Sequence, residues 1–293
     1  MPALLPPTAW SHHQLVWGQE TYVMGIANVT PDSFSGDGLA CDTLTEDALV
    51  QRTITLAKKF VAQGATLIDV GGESTRPHAP AISVEQELAR VIPVLQALRE
   101  ALPPEIIISI DTYKAEVADQ ALKAGASVIN DIWAMRRDPE MAGVASEHGV
   151  PVILMANMRL YQRREIVSDV TRFLAGSIDM ALAAGIAWEH IIIDPGIGFG
   201  TTPAENLTLL QRLGELRALG RPILLGTSRK STIGMVLGGL PVTERLEGTA
   251  ASVALGIAQG ADIVRVHDVY EMMRVVKMSD AIVRGTFTLT KNV

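Results

Sequence analysis

A chain of 293 residues that is 48% hydrophobic but only 4% aromatic must fill its interior with Ala, Val, Ile and Leu, and it is long enough for one large aliphatic core. Its formal net charge of -7, with no long basic run, argues against a nucleic-acid groove, so an anionic ligand would need a local cluster of positive charge. The single cysteine, Cys41, excludes an intramolecular disulfide framework and a cysteine-based zinc site, and it fits a reducing compartment such as the cytoplasm. Met1 to Trp10 lacks the cationic start of a signal peptide, and the uncharged stretch Gly248 to Ala261 falls short of a membrane span and reads as a buried helix.

Along the chain, His12 and His13 read as solvated tail residues, and Gln14 to Glu20 as a hairpin or lid ahead of the first core strand, Tyr22 to Ala27. A long polar loop with glycines follows from Asn28 to Gly38, a length that points to function. Thr45 to Gln63 has helical apolar spacing, opened by a threonine before acids and closed by Gly64. The unit then repeats. Strands are expected at Thr66 to Val70, Ile106 to Ile110, Ser127 to Ile129, Val152 to Met155, Ile191 to Ile193, Ile223 to Leu225 and Asp262 to Val266. Helices are expected between them at Val84 to Leu102, Lys114 to Lys123, Pro139 to His148, Ser168 to Ala184 and Ala204 to Leu219. One further helical region runs from Ser231 to about Gln259, and Glu271 to Val283 ends the series. Eight alternations without a linker predict a single-domain TIM (β/α)₈ barrel. An open doubly wound sheet would also alternate, but polar residues follow nearly every strand, as they would around one mouth.

Those polar residues are Asn28, Thr75 with Arg76, Asp111, Asn130, Asp194, Lys230 with Ser231, and Arg265 with His267. Singly, each has a structural explanation: Asp111-Thr112 resembles a helix cap, Asp194 could cap the helix near Pro203, and Arg76 could be a loop charge. Together, Asp111, Asn130 and Asp194 suit a flat heterocycle bearing amino, ring N–H and carbonyl groups, against which Arg265 could lie as a cationic plate. Arg76, Arg265 and His267 offer positive charge to a phosphate or pyrophosphate, and the Ser228-Arg229-Lys230-Ser231 helix start is a further anion site. The expected ligand is part heterocycle and part anion.

These motifs resemble dihydropteroate synthase. Asn28 to Ser35 is similar to its first loop and Gly72-Glu73-Ser74-Thr75-Arg76-Pro77 to its second. Ile110-Asp111-Thr112, Ile129-Asn130-Asp131-Ile132, Asp194-Pro195-Gly196, Gly198-Phe199-Gly200, Gly226 to Ser231 and Arg265 to Val269 follow in family order. The resemblance implies a pterin-binding catalytic domain over residues 22–293, behind an N-terminal extension or hairpin over residues 1–21. It also implies a cytoplasmic homodimer acting on small-molecule substrates. The implied reaction condenses 6-hydroxymethyl-7,8-dihydropterin pyrophosphate with p-aminobenzoate to give 7,8-dihydropteroate and pyrophosphate.

By the same carry-over, Asp111, Asn130, Asp194 and Lys230 bind the pterin, with Arg265 stacked on it; Asn28 holds Mg²⁺ on the pyrophosphate, which Arg76 and His267 contact. Thr75, Pro77, Phe199 and Ser231 shape the p-aminobenzoate site, a target for sulfonamides. Lys230, Arg265 and the loop acid Asp37 stand nearest the reaction. Asp37 is displaced by one place, because the family's Ser-Asp-Gly-Gly is here Ser35-Gly36-Asp37-Gly38. The family's Met-His after the fifth strand is here Met155-Ala156, and Trp133 to Arg137 is unusual for the family. Methyltetrahydrofolate-type methyltransferases share the Asp and Asn strand ends but need no pyrophosphate site, and an inactive pterin-binding paralogue would retain the pocket without turnover.

Overall fold

The β-branched runs form eight parallel strands whose side chains are buried on both faces, as expected when a sheet closes on itself inside a ring of helices. The computed structural model describes residues 5–30, 45–74 and 80–287. After a short antiparallel pair, β1 (Thr8–Trp10) and β2 (His13–Leu15), the barrel strands are β3 (Tyr22–Asn28), β4 (Leu67–Gly71), β5 (Ile107–Asp111), β6 (Val128–Asp131), β7 (Val152–Met155), β8 (Ile191–Asp194), β9 (Leu224–Leu225) and β10 (Ile263–Val266). Each pairs in parallel with its neighbours in the order β8-β7-β6-β5-β4-β3-β10-β9. The ends of that row meet where Ile193 bridges Ile223, the Ile193 N–H donating to the Pro222 carbonyl at 3.0 Å. The (β/α)₈ barrel is therefore the observed fold, and the open doubly wound alternative is excluded.

The intervening helices are α1 (Glu46–Ala62), α2 (Val84–Ala101), α3 (Ala115–Lys123), α4 (Met141–His148), α5 (Ile166–Ala183), α6 (Pro203–Gln211), α7 (Ser231–Val236), α8 (Leu246–Ala258) and α9 (Val269–Val283). Their ends follow local chemistry: Thr45 caps α1, and Ser83 with Gln86 and Thr202 with Glu205 form capping boxes on α2 and α6.

Three expectations change. The stretch from Ala204 to Leu219 is not one helix; it passes at Leu213 into a 3₁₀ turn, tightening around Gly214, where a Cβ would sit 2.9 Å from Gln259 Oε1. The region from Ser231 to Gln259 is broken by Gly238 and Gly239, both at positive φ, and then by Pro241. The hairpin lies earlier than Gln14 to Glu20 and is not a lid. Its Trp10 and Leu15, with Trp17 beyond them, are buried in the main core, and Thr8 Oγ1 donates to the carbonyl of Glu189, just ahead of β8. It therefore plugs the amino-terminal end of the barrel. His13 is accordingly a buried residue against Trp10, and burial pushes its pKa down to about 4; only His12 is exposed, as expected.

Candidate active site

Parallel strands deliver all their carboxyl ends to one mouth. Asn28, Asp111 and Asp194 are the last residues of β3, β5 and β8, Asn130 lies one residue from the end of β6, and Arg265 points inward from β10. Arg265 joins several of them. Its Nε donates to Asp69 Oδ2 at 2.6 Å and its Nη2 to Asp111 Oδ2 at 2.8 Å, while Asn130 Nδ2 donates to the same Asp69 oxygen at 3.1 Å. The guanidinium is held by its edges, in its own plane, so these bonds leave its faces for stacking.

Asp69 was not among the candidate residues. It sits in the middle of β4, fully buried, a lone acid in the run Leu67-Ile68-Asp69-Val70. That anomaly is its sequence signal, since a carboxylate in a central strand needs a buried partner.

Electrostatics follow from the burial. Asp111 is pushed up to about 7, mainly by burial and against the pull of Arg265, and Asp194 up to about 6 for the same first reason, opposed by the Gly196 N–H. Burial, reinforced by Arg265, brings Lys230 down to about 8. His267 is brought down to about 3 by burial and then by Arg265, so the expectation that it adds positive charge does not hold. Ser228 Oγ accepts the His267 backbone N–H at 3.1 Å and lies 3.0 Å from Nδ1. Donation of the hydroxyl proton to Nδ1 leaves the neutral ring an Nε2–H to offer.

The structural explanations for two acids also fail. The helix after Asp194 is capped by Thr202, and Asp194 Oδ1 instead accepts the Gly196 N–H at 2.7 Å. Asp111 caps nothing, because α3 begins after Lys114 with no side-chain cap. Asp131, by contrast, is structural: its oxygens accept the Trp133 and Met135 N–H groups and hold a turn in which Ala134 and Met135 are left-handed.

Lys230 Nζ stands 4.2 Å from the Phe199 ring centre, and Phe199 packs with Ile132 and Met155 in a small apolar cluster of their own, flanked by Tyr113 and Trp133. Ser231 follows Lys230, exposed, as the first residue of α7. Arg229 points elsewhere: left-handed at φ 56, it forms a two-point ion pair with Asp268 and donates its backbone N–H to Thr249 Oγ1. Sequence reading did not foresee this clamp, which fixes the turn that delivers Lys230.

Asp37, Thr75, Arg76 and Pro77 lie outside the described residues. The second loop can be followed to Ser74, and Glu73 just before it is bound by Tyr113 and by Lys114, whose Nζ also meets the fully buried Glu87. No group of three or more His, Cys, Asp or Glu side chains suited to a metal occurs among the described residues. A magnesium ion needs no such cage, since it keeps its waters and takes one or two protein oxygens plus phosphate. Asn28 fits that demand: its Oδ1 borders the space left by Gly71, where a Cβ would come within 3.2 Å of it and 3.4 Å of Asp111 Cβ.

The barrel and its mouth, with acids and an amide at the strand ends and an edge-held arginine bound among them, define a pterin-binding enzyme. A family model described as pterin binding enzyme matches residues 24–267. The Bacillus subtilis (strain 168) dihydropteroate synthase is 49% identical over 267 residues, spanning 91% of this chain and 90% of that protein. A Clostridium difficile dihydropteroate synthase solved in the presence of pteroic acid superposes with a TM-score of 0.84 at 48% identity, covering 92% of this chain and 98% of its own. The Xanthomonas albilineans enzyme solved with 4-aminobenzoic acid gives a TM-score of 0.86 at 38% identity, with 95% and 98% covered. The chain belongs to the dihydropteroate synthase family, transferases of folate biosynthesis.

Proposed function

We propose that the mouth binds 6-hydroxymethyl-7,8-dihydropterin pyrophosphate and that p-aminobenzoate replaces its pyrophosphate, the C–O bond breaking before the C–N bond forms. The observation that carries this reading is the buried ring of hydrogen-bonding groups around Arg265. Asp111, Asn130 and Asp194 offer acceptors and a donor to the edge of the pterin, Lys230 adds a donor, and Arg265 stacks on the ring. Breaking the C–O bond ahead of attack is feasible because the electron-rich dihydropterin spreads the positive charge, and the surrounding carboxylates stabilise it. The weak aniline nucleophile then needs no strong base.

Arg76 and the neutral His267 hydrogen-bond the pyrophosphate, and Asn28 supplies the protein oxygen for Mg²⁺, which when bound offsets the charge of the leaving group. Phe199 and Ser231, with Thr75 and Pro77, receive p-aminobenzoate, and Asp37 lies near its amine. The protein acts in the cytoplasm, a reading supported by its single cysteine. Among the described residues no helix is long and apolar enough to cross a membrane.

Two measurements follow. The kcat/KM for the pterin substrate should be bell-shaped in pH. It rises as the carboxyls of Asp194 (about 6) and Asp111 (about 7) ionise and become acceptors, and it falls above about 8 as Lys230 loses its proton. Lys230→Arg should move the alkaline limb upward while keeping the acid limb; an unmoved alkaline limb would assign that ionisation elsewhere. Ser231→Ala, removing a hydrogen bond to a charged carboxylate, should raise the KM for p-aminobenzoate about tenfold and leave pterin affinity unchanged, as isothermal titration can verify.

The protein acts as a homodimer. An apolar cavity of about 470 Å³ opens between α6, α7 and α8, with Leu207, Val236, Leu237 and Leu255 exposed around it, and a second copy is the occupant the family reading supplies. Light scattering on the eluted protein should give twice the chain mass, and Val236→Glu should give a monomer; an unchanged mass would place the interface elsewhere.

A further inference from the structure

We infer that Asp69 is a positioning residue for pterin recognition, setting both the plane of Arg265 and the orientation of the Asn130 amide. This rests on the proposed pterin site and deepens it. Asp69 stands at the level of Ser109 in β5 and Ile26 in β3, inside the barrel and one layer below the strand-end residues. It is 0% exposed and acts through the two groups it binds, Arg265 and Asn130, without touching a substrate at the mouth.

One carboxylate oxygen receives both contacts, Arg265 Nε at 2.6 Å and Asn130 Nδ2 at 3.1 Å. An ionised carboxylate only accepts, so it can hold Asn130 in one amide orientation alone, with the NH₂ turned down and Oδ1 turned away from Asp69. Asn130 is thereby presented to a ligand as an acceptor through Oδ1, with its second N–H as a donor. Arg265 is likewise constrained. With only the Asp111 contact, the guanidinium could pivot about Nη2; the second anchor at Nε fixes its tilt, and a stacking plate depends on tilt. A single buried acid thus holds two recognition groups in register before the ligand arrives, and a pocket preorganised in this way spends less of its binding energy on ordering side chains.

The isosteric test is Asp69→Asn. An asparagine in this place can turn its own NH₂ toward Asn130, which then presents the wrong edge, and it loses the charge that holds Arg265. The expected result, by titration of purified protein with the dihydropterin pyrophosphate and by steady-state kinetics, is at least about a tenfold loss of pterin affinity and of kcat/KM for the pterin. The KM for p-aminobenzoate should stay within about twofold. A role confined to stability would lower the melting temperature and leave the pterin affinity of the folded protein intact, and that outcome overturns the inference.

Where Asp69→Asn yields no folded protein, the wild type provides a second reading. The Arg265 Nε–H resonance, assigned through its loss in Arg265→Lys, should be protected from solvent exchange with no ligand present. Exchange at the rate of a free side chain overturns the inference. Wild-type protein that fails to bind the pterin would contradict the site itself, whereas wild-type binding matched by Asp69→Asn contradicts only the role of Asp69.

Discussion

Asp194→Ala will lower affinity for the dihydropterin pyrophosphate by at least about 10²-fold while leaving the fold intact. The two halves of this expectation share one cause. Asp194 is buried at the end of β8, and burial raises its pKa to about 6, so in the free protein the group sits uncomfortably in its charged form. Such a carboxyl is kept for its ligand and not for the fold. The backbone contact of its carboxylate, the Gly196 N–H, belongs to a turn already held by the left-handed glycines Gly196, Gly198 and Gly200. Removing the side chain should leave the melting temperature within a few degrees of wild type, or higher, while a ligand N–H loses its acceptor at a buried strand end. Fluorescence titration and thermal melting on the same preparation check both halves. Normal turnover by Asp194→Ala would mean that the pterin binds elsewhere.

Arg265→Met is expected to do the opposite to stability. The arginine joins two carboxylates, Asp69 at 0% and Asp111 at 9% side-chain exposure, and its loss strands both. Breaking a buried ion pair by removing one partner costs about 3 to 5 kcal/mol, because the remaining charge is left without compensation. For a domain of this size that corresponds to a fall in melting temperature of roughly 6 to 20 °C. Asp111, already up at about 7, rises further once the cation that opposes its burial is gone. It then stays protonated at neutral pH and presents a donor where an acceptor is needed. Both kcat and pterin affinity should therefore fall, by about 10²-fold or more in kcat/KM, with the melting temperature falling alongside. An unchanged melting temperature would show that the two acids are not held by Arg265.

Much of this site is legible along the chain because a parallel barrel converts sequence order into spatial convergence. Asp111, Asn130, Asp194 and Arg265 are far apart in sequence, yet each follows or ends a β-branched run, and eight parallel runs can deliver their ends only to one mouth. What escaped the sequence reading depends on depth and on partners. Asp69 lies inside a strand pattern, and only the closed barrel reveals that its side chain points inward to Arg265 and Asn130. His267 reads as a cation from its usual pKa, and its neutrality comes from burial beside two arginines, which no spacing encodes. Arg229 looked like part of an anion site, but Asp268, thirty-nine residues on, takes its charge.

The hairpin was misplaced for a related reason. Gln14 to Glu20 has no obvious pairing partner along the chain and so reads as a hairpin or lid, whereas burial of Trp10, Leu15 and Trp17 in the main core commits the segment to the floor of the barrel. The breaks at Gly214 and at Gly238-Gly239 fall inside stretches that read as single helical regions, Ala204 to Leu219 and Ser231 to about Gln259. Close approach to Gln259 at the first and positive φ at the second decided otherwise.

The central claim is that this mouth joins a pterin to an arylamine with loss of pyrophosphate. The measurement that tests it most directly follows pyrophosphate and dihydropteroate together, with purified protein, the dihydropterin pyrophosphate and Mg²⁺, with and without p-aminobenzoate. The account predicts equal amounts of both products when the two substrates are present, and dihydropteroate formation that Asp194→Ala removes. Tight pterin binding with no dihydropteroate formed, or equal turnover by Asp194→Ala, would contradict it.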